Sequence, residues 1–185
     1  MKGIVFTEFL DMVENEFSYE VADKIIEENS LASNGAYTSV GNYDNAEMIM
    51  LITSLSKHVN TPAEQLATHY GKYLLNRFFN LFPHFFTSVS TTFDFLDTID
   101  RHVHVEVKKL YSDAELPSFE TKRISERKMQ MFYRSGNPFA CLAGGLIEGA
   151  CEKFNEKICP LFCPPFKFSA SRCSNWHNGR SVHPP

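Results

Sequence analysis

The stretch FLDTIDRHVHVEVKKLYSDAELP, residues 95–117, is the most informative part of the chain. Apolar residues in and just before it recur at the spacing of one face of an α-helix: Phe93, Leu96, Ile99, Val103, Val107 and Leu110. The pattern predicts a helix from residue 90 or 91 to Tyr111. His102 and His104 flank this apolar face, each about 100° from its centre and on opposite sides.

These two histidines cannot both bind one metal ion. Residues two apart on a helix project about 200° apart, so the two rings point in different directions. At most one of them ligates a metal such as haem iron through a neutral imidazole nitrogen. Periodicity does not choose between them, and two partly exposed helical histidines are the alternative interpretation.

Helices account for the chain before this stretch. Apolar residues recur at helical spacing over residues 5–17 and 21–26, and again over residues 45–58 after a long loop of turn formers at residues 30–44. A further helix is predicted to start with a capping hydroxyl at Thr61 and to run to residue 79.

Strands appear only in the last third of the chain. Residues 119–125 and 128–135 predict the two strands of a β-hairpin. A helix is predicted at residues 139–156, and two further strands near residues 157–163 and 165–170.

This order of elements predicts the fold class. Helices followed by a small antiparallel sheet indicate one α+β domain over residues 1–185. Its helical part would cover about residues 1–116 and its sheet-containing part about 117–173, with a tail at 174–185 that we expect to be mobile. Gly145 and a second glycine one turn later predict a helix that packs closely against another element.

Composition limits the classes of function. Hydrophobic residues make up 43% of the chain, and 17 Phe stand against 1 Trp, so the core or a pocket must be rich in apolar rings. The formal net charge of −4, with no run of more than two Lys or Arg, argues against nucleic-acid binding. No apolar stretch reaches the length that a bilayer requires, so we expect no membrane insertion and a cytoplasmic protein.

The stretch at residues 95–117 resembles the haem-ligating helix of the H-NOX family, the haem nitric oxide/oxygen-binding domains. In that family the iron ligand precedes an apolar-x-apolar-x-Lys run, and a proline that presses on the haem follows thirteen residues after the ligand, a register that selects His104 and Pro117 here. The family fold places haem b between a helical half and a hairpin half. The resemblance therefore implies an iron ligand at His104 and a haem contact at Pro117.

The resemblance runs from Met1 to about Ile158. MKGIV at residues 1–5 is similar to the start of the family, LFPHFF at residues 81–86 to its aromatic-Phe-Pro motif, and GLIEG at residues 145–149 to its last long helix. Each match is short, and their order and spacing together carry the resemblance.

The signature Tyr-x-Ser-x-Arg of the family binds the haem propionates, and the corresponding run here is YRSGN at residues 133–137. Tyr133 and Ser135 match it. Asn137 replaces the arginine, so a charge-assisted contact becomes a neutral hydrogen bond of roughly half the strength. Arg134 is not expected to substitute, because a neighbouring strand residue points to the other face.

The resemblance also implies which residues face the bound gas. Oxygen-binding members carry a distal tyrosine, because bound oxygen needs a hydrogen-bond donor that nitric oxide does not need. Leu142 stands at the tyrosine position, Leu74 at that of a supporting asparagine and Phe9 at that of a tryptophan, and Phe78 is a further haem contact. This apolar pocket is expected to favour nitric oxide and carbon monoxide over oxygen.

The resemblance implies a receptor rather than an enzyme. The sequence shows no nucleophile elbow and no glycine loop of the phosphate-binding type. Nitric oxide is expected to weaken or break the bond from His104 and so to shift the two halves of the domain. The 185 residues leave no room for a kinase or cyclase domain, so the expected partner is a separate sensor histidine kinase or diguanylate cyclase.

The cysteines support an alternative function. All five lie after residue 140: Cys141, Cys151, Cys159, Cys163 and Cys173. An odd number without a secretory signal argues against a disulfide framework. Cys159, Cys163 and Cys173 with His177 are candidate zinc ligands, and partly buried reduced thiols are the other interpretation. A thiol or zinc redox sensor would keep its function in His104→Ala and lose it on substitution of Cys159 or Cys173.

Overall fold

The computed structural model describes residues 1–112, 114–163 and 167–172. Its helices are α1 (Gly3–Glu16), α2 (Tyr19–Glu27), α3 (Asn45–Val59), α4 (Ala63–Leu81), α5 (Thr92–Thr98), α6 (His104–Leu110) and α7 (Ala140–Lys153). Its strands are β1 (Ser118–Ser125), β2 (Lys128–Arg134), β3 (Ile158–Cys163) and β4 (Lys167–Arg172). The predicted α+β class is confirmed, and none of the helices in these ranges is long and apolar enough to span a membrane.

The four strands form one antiparallel sheet in the order β1-β2-β4-β3. β1 is therefore an edge strand, and half of its backbone N–H groups face away from β2. Phe119 of β1 lies opposite Tyr133 of β2 in the register. Met129 and Met131 of β2 are buried in a core shared with α5 and α7, which attaches the sheet to the helices.

Helices α4 and α7 pack with their backbones in contact. A Cβ atom on Gly145 would lie 1.9 Å from the carbonyl oxygen of Thr68, and one on Gly71 would lie 2.3 Å from that of Leu142. Only glycine fits at such a crossing. The close approach predicted at Gly145 is confirmed, and it fixes the two helices that carry Leu74 and Leu142.

The histidine-bearing helix is interrupted by a π-helical turn at Ile99–Val103, between α5 and α6. The backbone N–H of His104 donates to the carbonyl of Ile99, five residues earlier. Such a turn adds one residue and rotates the residues of α6 by about 100° relative to α5. This rotation brings His104 to the apolar face and turns His102 outward, where it is exposed. The expectation of one regular helix was wrong. The π-helical turn places His102 and His104 on different faces.

The capping hydroxyl predicted at Thr61 is also wrong. Thr61 Oγ1 donates to the carbonyl of Val59 at 3.3 Å, Pro62 occupies the N-cap position, and α4 begins at Ala63. A proline at the N-cap has no side-chain acceptor for the first free N–H groups, so α4 starts without a side-chain cap.

The first residues of the chain are attached to the long loop before α3. The Met1 ammonium donates to the carbonyl of Tyr43 at 2.8 Å, and Lys2 forms an isolated β-bridge with Asn42. The loop is attached in turn to α3, where Tyr37 donates to the buried Glu47 carboxylate at 2.7 Å. These contacts place Lys2 at the edge of a large internal cavity.

Candidate functional site

A cavity of about 750 Å3 lies between the helical half and the sheet. α4 and α7 form one wall, and the segment from α5 to β1 forms the other. Much of its lining is aromatic: Phe78, Phe82, Phe85, Phe86, Phe95, Phe119 and Phe139. Its size is in the range of small-molecule and cofactor sites, and its apolar faces suit a flat hydrophobic ligand.

His104 and Pro117 both line this cavity, and His102 does not. The His104 side chain is 17% exposed, and its Nδ1 lies 2.9 Å from Asp100 Oδ1. Burial lowers the pKa of His104, and the nearby Asp100 carboxylate opposes this effect only in part. The ring is therefore neutral near pH 7, with its proton on Nδ1 toward the carboxylate and the Nε2 lone pair available to a metal.

Tyr133, Ser135 and Asn137 line another edge of the cavity, as the signature comparison predicts. Burial raises the pKa of Tyr133, so its hydroxyl is protonated at neutral pH and can donate a hydrogen bond. Ser135 Oγ accepts from the backbone N–H of Asn137 at 3.1 Å, which fixes the turn after β2. The arrangement suits a carboxylate ligand.

Two basic residues among those that the structure describes border the cavity: Lys2 and Arg134. Lys2 Nζ lies 4.7 Å from the centre of the Tyr111 ring. Arg134 pairs with Glu120 at 3.1 Å, where both side chains are largely exposed and the pair contributes little to stability. Lys2 was not predicted as a site residue, because it lies far from the signature run in the sequence. The Arg134 side chain pairs with Glu120, on the strand face opposite to Phe119 and Tyr133, as expected for a neighbour of Tyr133.

The wall formed by α4 and α7 is apolar. Leu74, Phe78 and Leu142 line it, and none of these side chains can donate a hydrogen bond. Phe9 is placed differently, since it does not line the cavity but is fully buried and packs edge-on against Tyr70 at 5.1 Å. The structure thus brings together two of the three predicted gas-side residues, Leu74 and Leu142, with Phe78 beside them.

Tyr70 of α4 carries a hydroxyl group that the sequence analysis did not consider. It is fully buried, and its O–H donates to the carbonyl of Val5. Burial raises the pKa of Tyr70 well above its usual value, so this donor stays protonated and engaged with α1.

Asp100 is a further residue that sequence reasoning missed. Its Oδ1 bonds to His104 and its Oδ2 accepts from the backbone N–H of Phe119 at 3.0 Å. The spacing of four residues between Asp100 and His104 was the available signal, because residues four apart meet on one helix face.

The candidate zinc ligands lie largely outside the described residues. Cys173 and His177 fall beyond residue 172, and the side chains of Cys159 and Cys163 in β3 are not described. Within the described part of the chain, no three or more His, Cys, Asp or Glu side chains are grouped to hold a metal ion. Burial raises the pKa of Cys151 to about 11, so this thiol is protonated and unreactive at neutral pH. The described residues give the zinc hypothesis no support.

A family model described as Haem-NO-binding matches residues 2–159. The chain belongs to this H-NOX family. Proteins of the family are haem-based gas sensors, and their domains bind haem and are generally not enzymes. A comparison with curated proteins gave no match.

Solved H-NOX structures superpose on nearly the whole chain. The Fe(II) unliganded H-NOX protein from K. algicida is 32% identical, with a TM-score of 0.89 over 97% of this chain and 100% of that chain. The IWP-051-bound H-NOX from Shewanella woodyi in the Fe(II)CO state is 34% identical, with a TM-score of 0.83 over 99% and 100%. The Fe(II)NO H-NOX from S. oneidensis, at 22% identity and a TM-score of 0.84 over 92% and 97%, supports the fold alone.

The residues around the cavity fit a haem. The cavity offers flat aromatic surfaces for a macrocycle, a neutral imidazole on one wall and hydroxyl, amide and cationic groups at an edge for carboxylates. His104, Tyr133, Ser135 and Asn137 are therefore suited to hold the cofactor of the H-NOX family.

Proposed function

We propose that this H-NOX protein is a nitric oxide sensor that holds haem b through His104. The observation that carries the proposal is the contrast between two walls of one cavity. One wall carries the neutral imidazole of His104, whose Nδ1 is hydrogen-bonded to Asp100, and the other carries Leu74 and Leu142. When bound, haem supplies a ferrous iron with an open position for a diatomic gas.

The chain's own residues would divide the binding of the cofactor between them. His104 would offer Nε2 to the iron, and Pro117, which lines the same cavity, would contact the macrocycle. Tyr133, Ser135 and Asn137 hydrogen-bond to its carboxylates. Lys2 would supply the positive charge that Asn137 lacks, because it lines the cavity.

Gas selectivity would follow from the apolar wall. Leu74, Phe78 and Leu142 offer no donor to a bound gas, and the Tyr70 hydroxyl is engaged by Val5. Bound oxygen is stabilised by a donated hydrogen bond, whereas nitric oxide and carbon monoxide need none. We therefore infer selectivity for nitric oxide and carbon monoxide.

A change at His104 would be passed on as a movement of α6 and β1 relative to α4 and α7. The output would be read by a separate signalling protein, and family analogy favours a sensor histidine kinase or a diguanylate cyclase. The protein acts in this proposal as a receptor.

Absorption spectra of the reduced, haem-reconstituted protein test the proposal. Wild type is expected to show a five-coordinate ferrous spectrum that changes with nitric oxide and forms no stable oxygen complex in air, and His104→Ala is expected to lose it. His102→Ala is the matched control on the same helix. A stable oxygen complex in wild type would contradict the selectivity, and a spectrum unchanged in His104→Ala would contradict the ligand.

A further inference from the structure

Asp100 links three parts of the site through one carboxylate. It lies in the π-helical turn, its Oδ1 bonds to His104 Nδ1 at 2.9 Å, and its Oδ2 accepts from the backbone N–H of Phe119 at 3.0 Å. One side chain therefore joins the imidazole of the helical half to the first residues of the sheet.

The N–H of Phe119 is a group that needs such a partner. β1 is the edge strand of the sheet, so an N–H that faces away from β2 has no strand to pair with. Asp100 supplies this partner and thereby fixes the start of β1, directly after Pro117.

Ring contacts run along the same path. The His104 ring lies 5.7 Å from that of Phe119, and the Phe119 ring lies 5.3 Å from that of Tyr133. Any displacement of the imidazole is therefore opposed both by the Asp100 hydrogen bonds and by the packing of Phe119. The contacts join the imidazole to the carboxylate-binding edge of the cavity.

We propose that Asp100 is a positioning residue that sets the orientation of His104 and couples its position to the start of β1. The inference rests on the proposed haem ligation by His104. The carboxylate holds the Nδ1 proton, which directs Nε2 to the cavity and makes the imidazole a stronger electron donor. When the imidazole moves, Oδ1 moves with it, and the hydrogen bond that Oδ2 accepts from the backbone N–H of Phe119 weakens.

Two variants test this role, with a matched control. Asp100→Ala removes both acceptors, and Asp100→Asn keeps the size but replaces one acceptor by a donor. Asp97→Ala is the control, because Asp97 bonds to Arg123 of β1 at 3.1 Å without contacting His104. It therefore loosens the same helix from the same strand without touching the imidazole.

The first measurement is the iron–histidine stretching frequency of the reduced protein without gas, by resonance Raman spectroscopy. We expect a lower frequency in both Asp100 variants, because the imidazole donates less strongly, and an unchanged one in Asp97→Ala. Hydrogen exchange by mass spectrometry in peptides containing Phe119 is the second. Its amide is expected to exchange about tenfold faster or more in Asp100→Ala, as for a lost hydrogen bond to a charged acceptor.

The coupling is tested by adding nitric oxide. Exchange at Phe119 is expected to rise in wild type and to show no further rise in Asp100→Ala. If the Asp100 variants keep the wild-type iron–histidine stretching frequency and the wild-type exchange rate at Phe119, the positioning role is overturned. An equal change of both quantities in Asp97→Ala would also overturn it. Either outcome would leave haem ligation by His104 intact. If His104 does not ligate the iron, the absorption spectrum of His104→Ala would instead match that of the wild type.

Discussion

The two walls of the cavity are held by different kinds of contact. The α4–α7 wall is close-packed, with Gly71 and Gly145 bringing two backbones together, and its cavity face is apolar. The opposite wall is irregular and carries a polar contact, because His104 follows a π-helical turn and is held by Asp100. The first wall therefore depends on contact between backbones, and the second depends on the hydrogen bonds of one side chain.

Substitution of His104 is expected to have the largest effect, because it removes the proposed iron ligand. His104→Ala should abolish stable haem binding or the five-coordinate ferrous spectrum, measured by absorption after reconstitution. Addition of free imidazole should restore a spectrum if the cavity remains folded. Retention of the wild-type spectrum without imidazole would show that another residue ligates the iron.

The close-packed wall should respond to an added methyl group. Gly145→Ala places a Cβ atom 1.9 Å from the Thr68 carbonyl, so the helices must separate, at a cost of about 1–3 kcal/mol in the free energy of unfolding. Gly136→Ala is the control, because no atom lies within 4 Å of its added Cβ. Chemical denaturation measures both, and equal stability of the two variants would contradict backbone contact at this crossing.

A hydroxyl on the apolar wall should weaken the contrast between the walls. Leu142→Tyr is expected to produce an oxygen complex in air that the wild type lacks, because the phenol can donate to bound oxygen. Leu142→Phe is the control with the same ring and no donor. A single hydrogen bond of about 1 kcal/mol corresponds to roughly fivefold slower oxygen loss than in that control, and equal rates would show that position 142 does not face the gas.

The smallest effect is expected at the edge of the cavity that Tyr133, Ser135 and Asn137 line. Asn137→Arg restores a charge-assisted contact and should slow haem loss to a scavenging haem protein by about fivefold. Lys2→Ala should accelerate haem loss by a similar factor if this lysine replaces the missing arginine. An unchanged rate in Lys2→Ala would contradict the compensating role of Lys2.

Much of the fold could be predicted from the sequence, because its helices and strands follow regular periodicities. β1 and β2 occur within one residue of their expected bounds, and α3 begins at Asn45 as expected. The choice between His102 and His104 required a family comparison, since a fixed 100° per residue cannot detect a π-helical turn.

The partners of the site residues were less predictable than the residues themselves. Phe119 and Asp100 are nineteen residues apart, and their hydrogen bond depends on how β1 approaches the helix. Lys2 reaches the cavity because the first residues are attached to the loop before α3. Such tertiary contacts leave no periodic signal in one sequence, and the same is true of Phe9, which packs in the core instead of lining the cavity.

The glycine contact between α4 and α7 also bears on how such a receptor can diversify. Because Gly71 and Gly145 hold the two helices through their backbones, the shape of this wall depends little on which side chains stand at positions 74 and 142. If these positions face the gas as proposed, single exchanges there would change the gas that is recognised while the scaffold stays intact. Ligand preference can therefore drift during evolution in small steps, without the chain having to acquire a new fold.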